Sequence, residues 1–219
     1  MPSFEQLRRE VWEANLGIFR AGLVTMHSGN ASGIDRRRGL VIIKPSGMDY
    51  DKLRPADMVA TDLEGRKVKG KWKASVDLPH HLYIYQHRSE IGGIVHTHSN
   101  YATSFALLGR PIPVCLTAIA DEFGAEVPCA PYTDNVGDHI GEAILRSMGR
   151  SPAVLLAQHG AFAFGATPSA ALKAAVMLED VAKTCHLALL LGKPAPLPPE
   201  EVRKWYDRYH TTYGQEKKP

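Results

Sequence analysis

Apolar residues recur at Leu7, Val11, Ala14 and Ile18, the three- and four-residue spacing of a single helical face, behind a Ser3/Gln6 capping signal. This pattern predicts a first helix, with Gly22 as its stop. The polar stretch from His27 to Gly33 reads as a turn. A buried strand is expected over Leu40–Lys44, ended by Pro45-Ser46-Gly47, and a hairpin over Met58–Lys69 with Glu64-Gly65 at its tip. Pro79 suits the first turn of a helix running to about Arg88, and Gly92-Gly93 then breaks the chain before a short strand, Ile94–His98. Ser99 opens another helix, which Gly109 closes.

Further strands are expected at Val114–Thr117 and Val154–Ala157. The strongest helical period follows Thr167-Pro168, with Leu172, Val176, Leu178, Val181, Cys185 and Leu189 as its apolar positions and Gly192 as its stop. Lys193–Pro199 is a Pro-rich linker to a short helix from about Glu200 and a polar tail. Strands and helices interleave, yet several strand pairs read as hairpins. That predicts an α/β fold of the α+β kind, with a mixed or largely antiparallel sheet carrying helices on its faces, rather than a doubly wound parallel sheet. Residues 1–192 read as one domain and 193–219 as its linker, short helix and tail.

Composition narrows the function. The 219 residues, 44% apolar, support one core. With 26 basic against 23 acidic residues, the charge of +3 gives no electrostatic case for nucleic acid or a membrane surface. The one dense basic run, Arg36-Arg37-Arg38, reads as a solvated hairpin turn. Cys115, Cys129 and Cys185 are odd in number and widely spaced, which suits reduced thiols rather than a disulfide framework or a cysteine zinc site. The polar N-terminus and the absence of a run of ~20 apolar residues lead to the expectation of a soluble, cytoplasmic protein. No GxGxxG or GxxxxGK[ST] pattern occurs, so nucleotide-binding fingerprints are absent.

The sharpest chemical signal is His96-Thr97-His98. On a strand, residues two apart point to one face, so the two imidazoles sit side by side. A catalytic divalent ion needs three or four such donors, and this pair alone is equally compatible with two polar residues on an exposed face. Asp77, just before Pro79, is either a helix N-cap or a carboxylate facing a metal, and one residue can do both. His159, followed by Gly160 after an apolar strand, is either a turn histidine or one aimed back into a cleft. Gly29-Asn30 and Ser46-Gly47 are turns whose N–H groups and hydroxyl suit an anion, with Lys44 and Ser75 as neighbours if the fold gathers them.

Read in order, Ser28-Gly29-Asn30-Ala31-Ser32, Ile43-Lys44-Pro45-Ser46-Gly47, Gly92-Gly93-Ile94-Val95-His96-Thr97-His98-Ser99 and Gln158-His159-Gly160 resemble the class II aldolase/adducin family. The likeness runs from Glu13-Ala14-Asn15-Leu16 to the tail. Within the family, Asp77, the Ala120-Asp121…Phe123 segment and Tyr213-Gly214-Gln215 resemble its C4 epimerases of L-ribulose 5-phosphate more than its fuculose-phosphate aldolases. The sequence departs from the epimerase pattern at Val76, where a second serine is usual, and at Trp205, near the place of a tail histidine.

The resemblance implies a central, mainly antiparallel sheet flanked by helices and a ring-shaped homotetramer with active sites between subunits. It implies zinc, with manganese or cobalt as alternatives, on Asp77, His96, His98 and His159. It implies a small phosphorylated ketose held by Gly29, Asn30, Lys44, Ser46, Gly47 and Ser75, and an acid–base pair of Asp121 and Tyr213. The setting it suggests is pentose metabolism, such as L-arabinose catabolism. The competing expectations are an aldolase or decarboxylase of the same family, a non-catalytic module like the adducin head, and a metal hydrolase.

Overall fold

The predicted first helix forms as α1 (Phe4–Arg20), with Ser3 accepting from the Gln6 N–H at 3.2 Å and Leu7, Val11, Ala14 and Ile18 buried along one face. The computed structural model describes residues 3–215, so the outermost ends of the expected domain and tail, 1–2 and 216–219, lie outside it. Asn15 on the buried face of α1 ties the helix to the sheet. Its amide donates to the carbonyls of Val11 (2.8 Å) and Ala31 (3.0 Å), and its oxygen accepts from the Ala31 N–H (2.8 Å). Asn15→Leu keeps the branched shape of the side chain but strands both backbone groups of Ala31. A buried unpaired polar group costs about 1–3 kcal/mol, so we expect a loss of about 3 kcal/mol and, for a chain of this size, a fall in Tm of roughly 6–12 °C. An unchanged thermal midpoint would refute this role.

Eight strands form one sheet in the order β4 (Lys67–Lys69), β3 (Val59–Asp62), β2 (Leu40–Ile43), β1 (Asn30–Asp35), β5 (Gly93–Thr97), β8 (Gly160–Gly165), β7 (Ala153–Leu156) and β6 (Cys129–Ala130). Every neighbouring pair is antiparallel except β6–β7. Strands β2, β5, β7 and β8 are largely apolar on both faces because helices cover both faces there. Alternate residues divide between two cores: Val95, Leu155, Ala161 and Ala163 face α1, α3 (Asn100–Leu107) and α6 (Pro168–Leu191), whereas Ile94, Val154, Phe162 and Phe164 face α2 (Leu78–His87) and α5 (His139–Ser147). The fold is therefore the single domain expected, a mainly antiparallel sheet flanked by helices. No helix among the described residues is long and apolar enough to cross a membrane.

Two expectations fail. His27–Gly33 is not simply a turn, because Asn30–Asp35 is central strand β1, buried at every position. Its Asn, Ser and Gly residues carry little strand preference; their polar groups find partners only in the folded protein, Asn30 on Asp77 and Ser32 on His81 and Tyr85. Val114–Thr117 is not a strand. Pro111 and Pro113 remove backbone donors there, pairing is limited to the isolated bridge Ile112↔Val127, and Thr117 instead opens helix α4 (Thr117–Phe123). The basic run does form the β1–β2 turn, but Arg36 also reaches across to the carbonyls of Tyr85, Arg88 and Ile91 at 3.1, 2.7 and 2.8 Å, covering the end of α2. The Pro-rich linker leads into α7 (Pro199–Thr211), which packs on α4.

Candidate metal and anion site

The antiparallel registers bring separate segments to one end of the sheet. Asn30, at the start of β1, pairs with His96; Thr97, at the end of β5, pairs with Ala161; Leu156 pairs with Gly160 across the β7–β8 turn. His96 and His98 share a face as their spacing predicts, with Nε2 atoms 3.1 Å apart. His159 joins them from the β7–β8 turn, which Gln158 makes possible by adopting a φ of 59°. The ligand atoms of the three histidines lie within 4.8 Å of one another. Phe162 stacks on His96 with ring centroids 4.3 Å apart and backs the cluster.

The chemistry of these rings fits a divalent cation. His96 Nδ1–H donates to the Ala161 carbonyl at 3.0 Å, so its Nε2 presents a bare lone pair. Burial, only partly opposed by the Asp77 carboxylate, pushes His96 down to about 3, and burial also lowers His98 and His159. All three rings are therefore neutral donors at physiological pH. Asp77 occupies the N-cap position of α2 but its side chain makes no capping bond. Its Oδ2 instead accepts from Asn30 Nδ2 at 2.6 Å, with the Ser75 hydroxyl at 3.4 Å. Burial works to raise Asp77, but the facing His96 and His81 rings and the Asn30 amide outweigh it and hold the carboxyl below its ordinary value. Asp77 is not part of the three-histidine cluster; it lines the same cleft.

That cleft, of about 380 Å³, is lined by His96, His98, His159 and Asp77 and also by Gly29, Lys44, Ser46, Gly47 and Ser75. Lys44 is 1% exposed, donates to the His27 carbonyl at 3.0 Å and lies 4.6 Å from the centre of the Tyr50 ring. Burial, opposed by Asp49 and Asp77, brings its ammonium down to about 8, which leaves it mostly charged at neutral pH. The Ser46 N–H is taken by the Lys73 carbonyl and the Ser75 N–H by the Lys44 carbonyl, so the two serines offer hydroxyls rather than amides. Asn30 is buried, its amide turned to Asp77 and Ser75.

Glycine is required where backbone meets the cluster. A Cβ on Gly160 would lie 2.5 Å from the Thr97 carbonyl oxygen and 2.7 Å from His98 Cδ2. Gly160→Ala is expected to displace the His98 ring and weaken metal affinity about 10- to 100-fold, measured by competition with a chromophoric chelator. Equal affinity would show that the ring yields without cost.

Asp121 and Tyr213 do not line this cleft in their own chain. Asp121 lies on α4 with Oδ1 buried and, among the described residues, without a hydrogen-bond partner. Tyr213 follows α7, is 62% exposed, and stacks on Tyr209 at 4.9 Å with the Arg208 guanidinium 5.3 Å from its ring centre. The two regions are linked: Glu122 on α4 pairs with Lys173 at 2.7 Å, and Lys173 lies 4.7 Å from the Tyr209 ring centre. Residues that sequence reasoning missed also line the cleft, among them His27 and Asn135. Asn135 stands in a segment without periodicity or motif, so no local signal marks it.

The model of the class II aldolase and adducin N-terminal domain matches residues 9–186. An L-ribulose-5-phosphate 4-epimerase, UlaF, of Salmonella paratyphi B (strain ATCC BAA-1250 / SPB7) is 38% identical over 227 aligned positions, covering 96% of this chain and 99% of that protein. Among solved structures, an L-fuculose 1-phosphate aldolase superposes with a TM-score of 0.85 at 31% identity, covering 96% of this chain and 98% of its own. The L-fuculose-1-phosphate aldolase of Thermus thermophilus gives 0.67 at 28% identity, covering 84% of this chain and 96% of its own.

Proposed function

This chain belongs to the class II aldolase and adducin family, and from that premise we propose that it is a metal-dependent 4-epimerase of L-ribulose 5-phosphate. The observation that carries the reading is the three-histidine cluster sharing one cleft with the Lys44–Gly47 and Gly29 turns. His96, His98 and His159, with Asp77, would hold the ion, zinc being the first candidate and manganese or cobalt compatible with the same donors. When bound, it would supply the Lewis acidity that stabilises negative charge on the substrate.

The C4 proton of the substrate is not acidic, because C4 is not adjacent to the carbonyl. Inversion therefore proceeds by removing the proton of the C4 hydroxyl and breaking C3–C4. The bonding pair stays with the C1–C3 fragment as its enediolate, and C4–C5 leaves as glycolaldehyde phosphate. Lys44 and the Ser46, Gly47, Gly29 and Ser75 surroundings keep hold of the phosphate while the aldehyde turns its other face. Re-formation of the bond then needs a proton donor on the opposite side. Asp121 and Tyr213 are the acid–base pair we assign, delivered by a neighbouring copy in a homotetramer. The absence of both from their own chain's cleft supports a shared site.

The 31% identity to an L-fuculose 1-phosphate aldolase favours a second reading, in which the aldehyde leaves. A coupled assay for D-xylulose 5-phosphate from L-ribulose 5-phosphate, with chelator and then zinc add-back, separates the two. Chelator-sensitive, zinc-restored turnover supports the epimerase. Release of free aldehyde without epimer supports the aldolase and refutes the first reading.

A further inference from the structure

His80, next to the cleft on α2, is 1% exposed, and among the described residues its side chain has one hydrogen-bond partner, Asn135, with Nε2 2.6 Å from the Asn135 side-chain oxygen. His80 Nδ1 is buried without a partner among those residues. This combination fixes the orientation of the amide. An amide oxygen can only accept, so His80 Nε2 carries the proton and Nδ1 is left as a bare acceptor. The flipped amide would instead place a buried, unpaired Nδ1–H in the interior, and an orphaned donor is the rarer and costlier arrangement. With its oxygen held by His80, the Asn135 NH₂ group makes no hydrogen bond among the described residues and belongs to a residue that lines the cleft beside Asp77, His98 and His159.

We propose that Asn135 is a substrate-binding residue, its side-chain NH₂ donating to a sugar oxygen of the ketose, and that His80 is the positioning residue that aims it. The proposal deepens the epimerase reading and rests on it. Two features favour a sugar oxygen over the phosphate. His80, which holds Asn135, lies one turn along α2 from the cleft carboxylate Asp77, and Asn135 lines the cleft together with Asp77, His98 and His159, which puts it at the histidine side. The phosphate surroundings are already furnished by Lys44, Ser46 and Ser75.

The test compares wild type, Asn135→Ala, His80→Phe and the double variant in the native oligomer. It reads metal content, turnover of L-ribulose 5-phosphate, its direct binding by calorimetry, and inhibition by inorganic phosphate. We expect Asn135→Ala to raise KM and the calorimetric Kd about three- to tenfold, the loss of one neutral hydrogen bond. The inhibition constant for inorganic phosphate and the zinc content should be unchanged. His80→Phe should reproduce this effect, and the double variant should be no worse than Asn135→Ala alone, as expected for two residues acting through one contact. Unchanged KM and Kd in Asn135→Ala overturn the proposal, as does an equal loss of phosphate affinity or metal, which would mark a general disturbance of the loop. Additive losses overturn the role of His80. A wild-type protein that binds L-ribulose 5-phosphate without converting it sinks the epimerase reading and leaves the binding comparison decisive; one that neither binds nor converts it sinks both.

Discussion

His96→Ala is expected to abolish turnover and leave the purified protein without its stoichiometric metal, the largest single effect available in this molecule. His96 is the most buried member of the cluster, its ring centre 4.8 Å from that of His98 and 5.1 Å from that of His159. It is also the ring with the best-defined lone pair, because the Ala161 carbonyl holds its other nitrogen. Removing it breaks the three-histidine cluster and leaves, of the proposed ligand set, only the two less buried imidazoles and the Asp77 carboxylate, which lines the cleft but stands outside that cluster. The fold should survive, since the ring contributes little apolar burial beyond its stack on Phe162. The measurement is elemental analysis beside the coupled assay and a thermal melt. Retained stoichiometric metal with normal turnover would remove the cluster from the mechanism. Loss of activity with metal intact would assign His96 a different role.

Tyr213→Phe is expected to reduce epimerisation by ~10²–10⁴-fold while zinc content and fold are kept, and Asp121→Asn to do the same, the usual weight of one general acid–base group. The phenyl ring preserves the stack on Tyr209 and the contact with Arg208, so only the hydroxyl is lost. Because neither residue lines the cleft of its own chain, mixing the variants tests where they act. Oligomers assembled from His96→Ala and Tyr213→Phe chains contain sites with intact histidines facing intact tyrosines. Those mixtures should recover part of the activity that each parent lacks. No recovery from well-mixed oligomers would place the tail at its own chain's site, and full activity of Tyr213→Phe would remove the residue from the chemistry.

Much of this protein was legible before its structure. The helical periods of α1 and α6 and their caps, Ser3 and Thr167, survive because each depends on contacts three or four residues apart. The side-by-side placement of His96 and His98 follows from the period of a strand, which any strand imposes. Four ordered motifs sufficed for the family, whose model then matched residues 9–186. Failures fell where meaning depends on distant partners. His27–Gly33 reads as a turn because Asn, Ser and Gly are poor strand formers; α1, α2 and β5 make its second half, Asn30–Gly33, part of a central strand by pairing with its polar groups.

The sequence by itself determined the elements with strong local periods, the face that the two histidines share and the family. The tertiary structure decided that Asp77 leaves its cap to meet Asn30, that His159 closes the cluster, and that Asn135 enters the cleft from a patternless loop. It also decided that Asp121 and Tyr213 stay outside their own chain's cleft. The physical reason is range: periodicity and capping act within a turn or a strand, whereas a site is a meeting of segments tens of residues apart, and only packing and antiparallel register set which ends coincide.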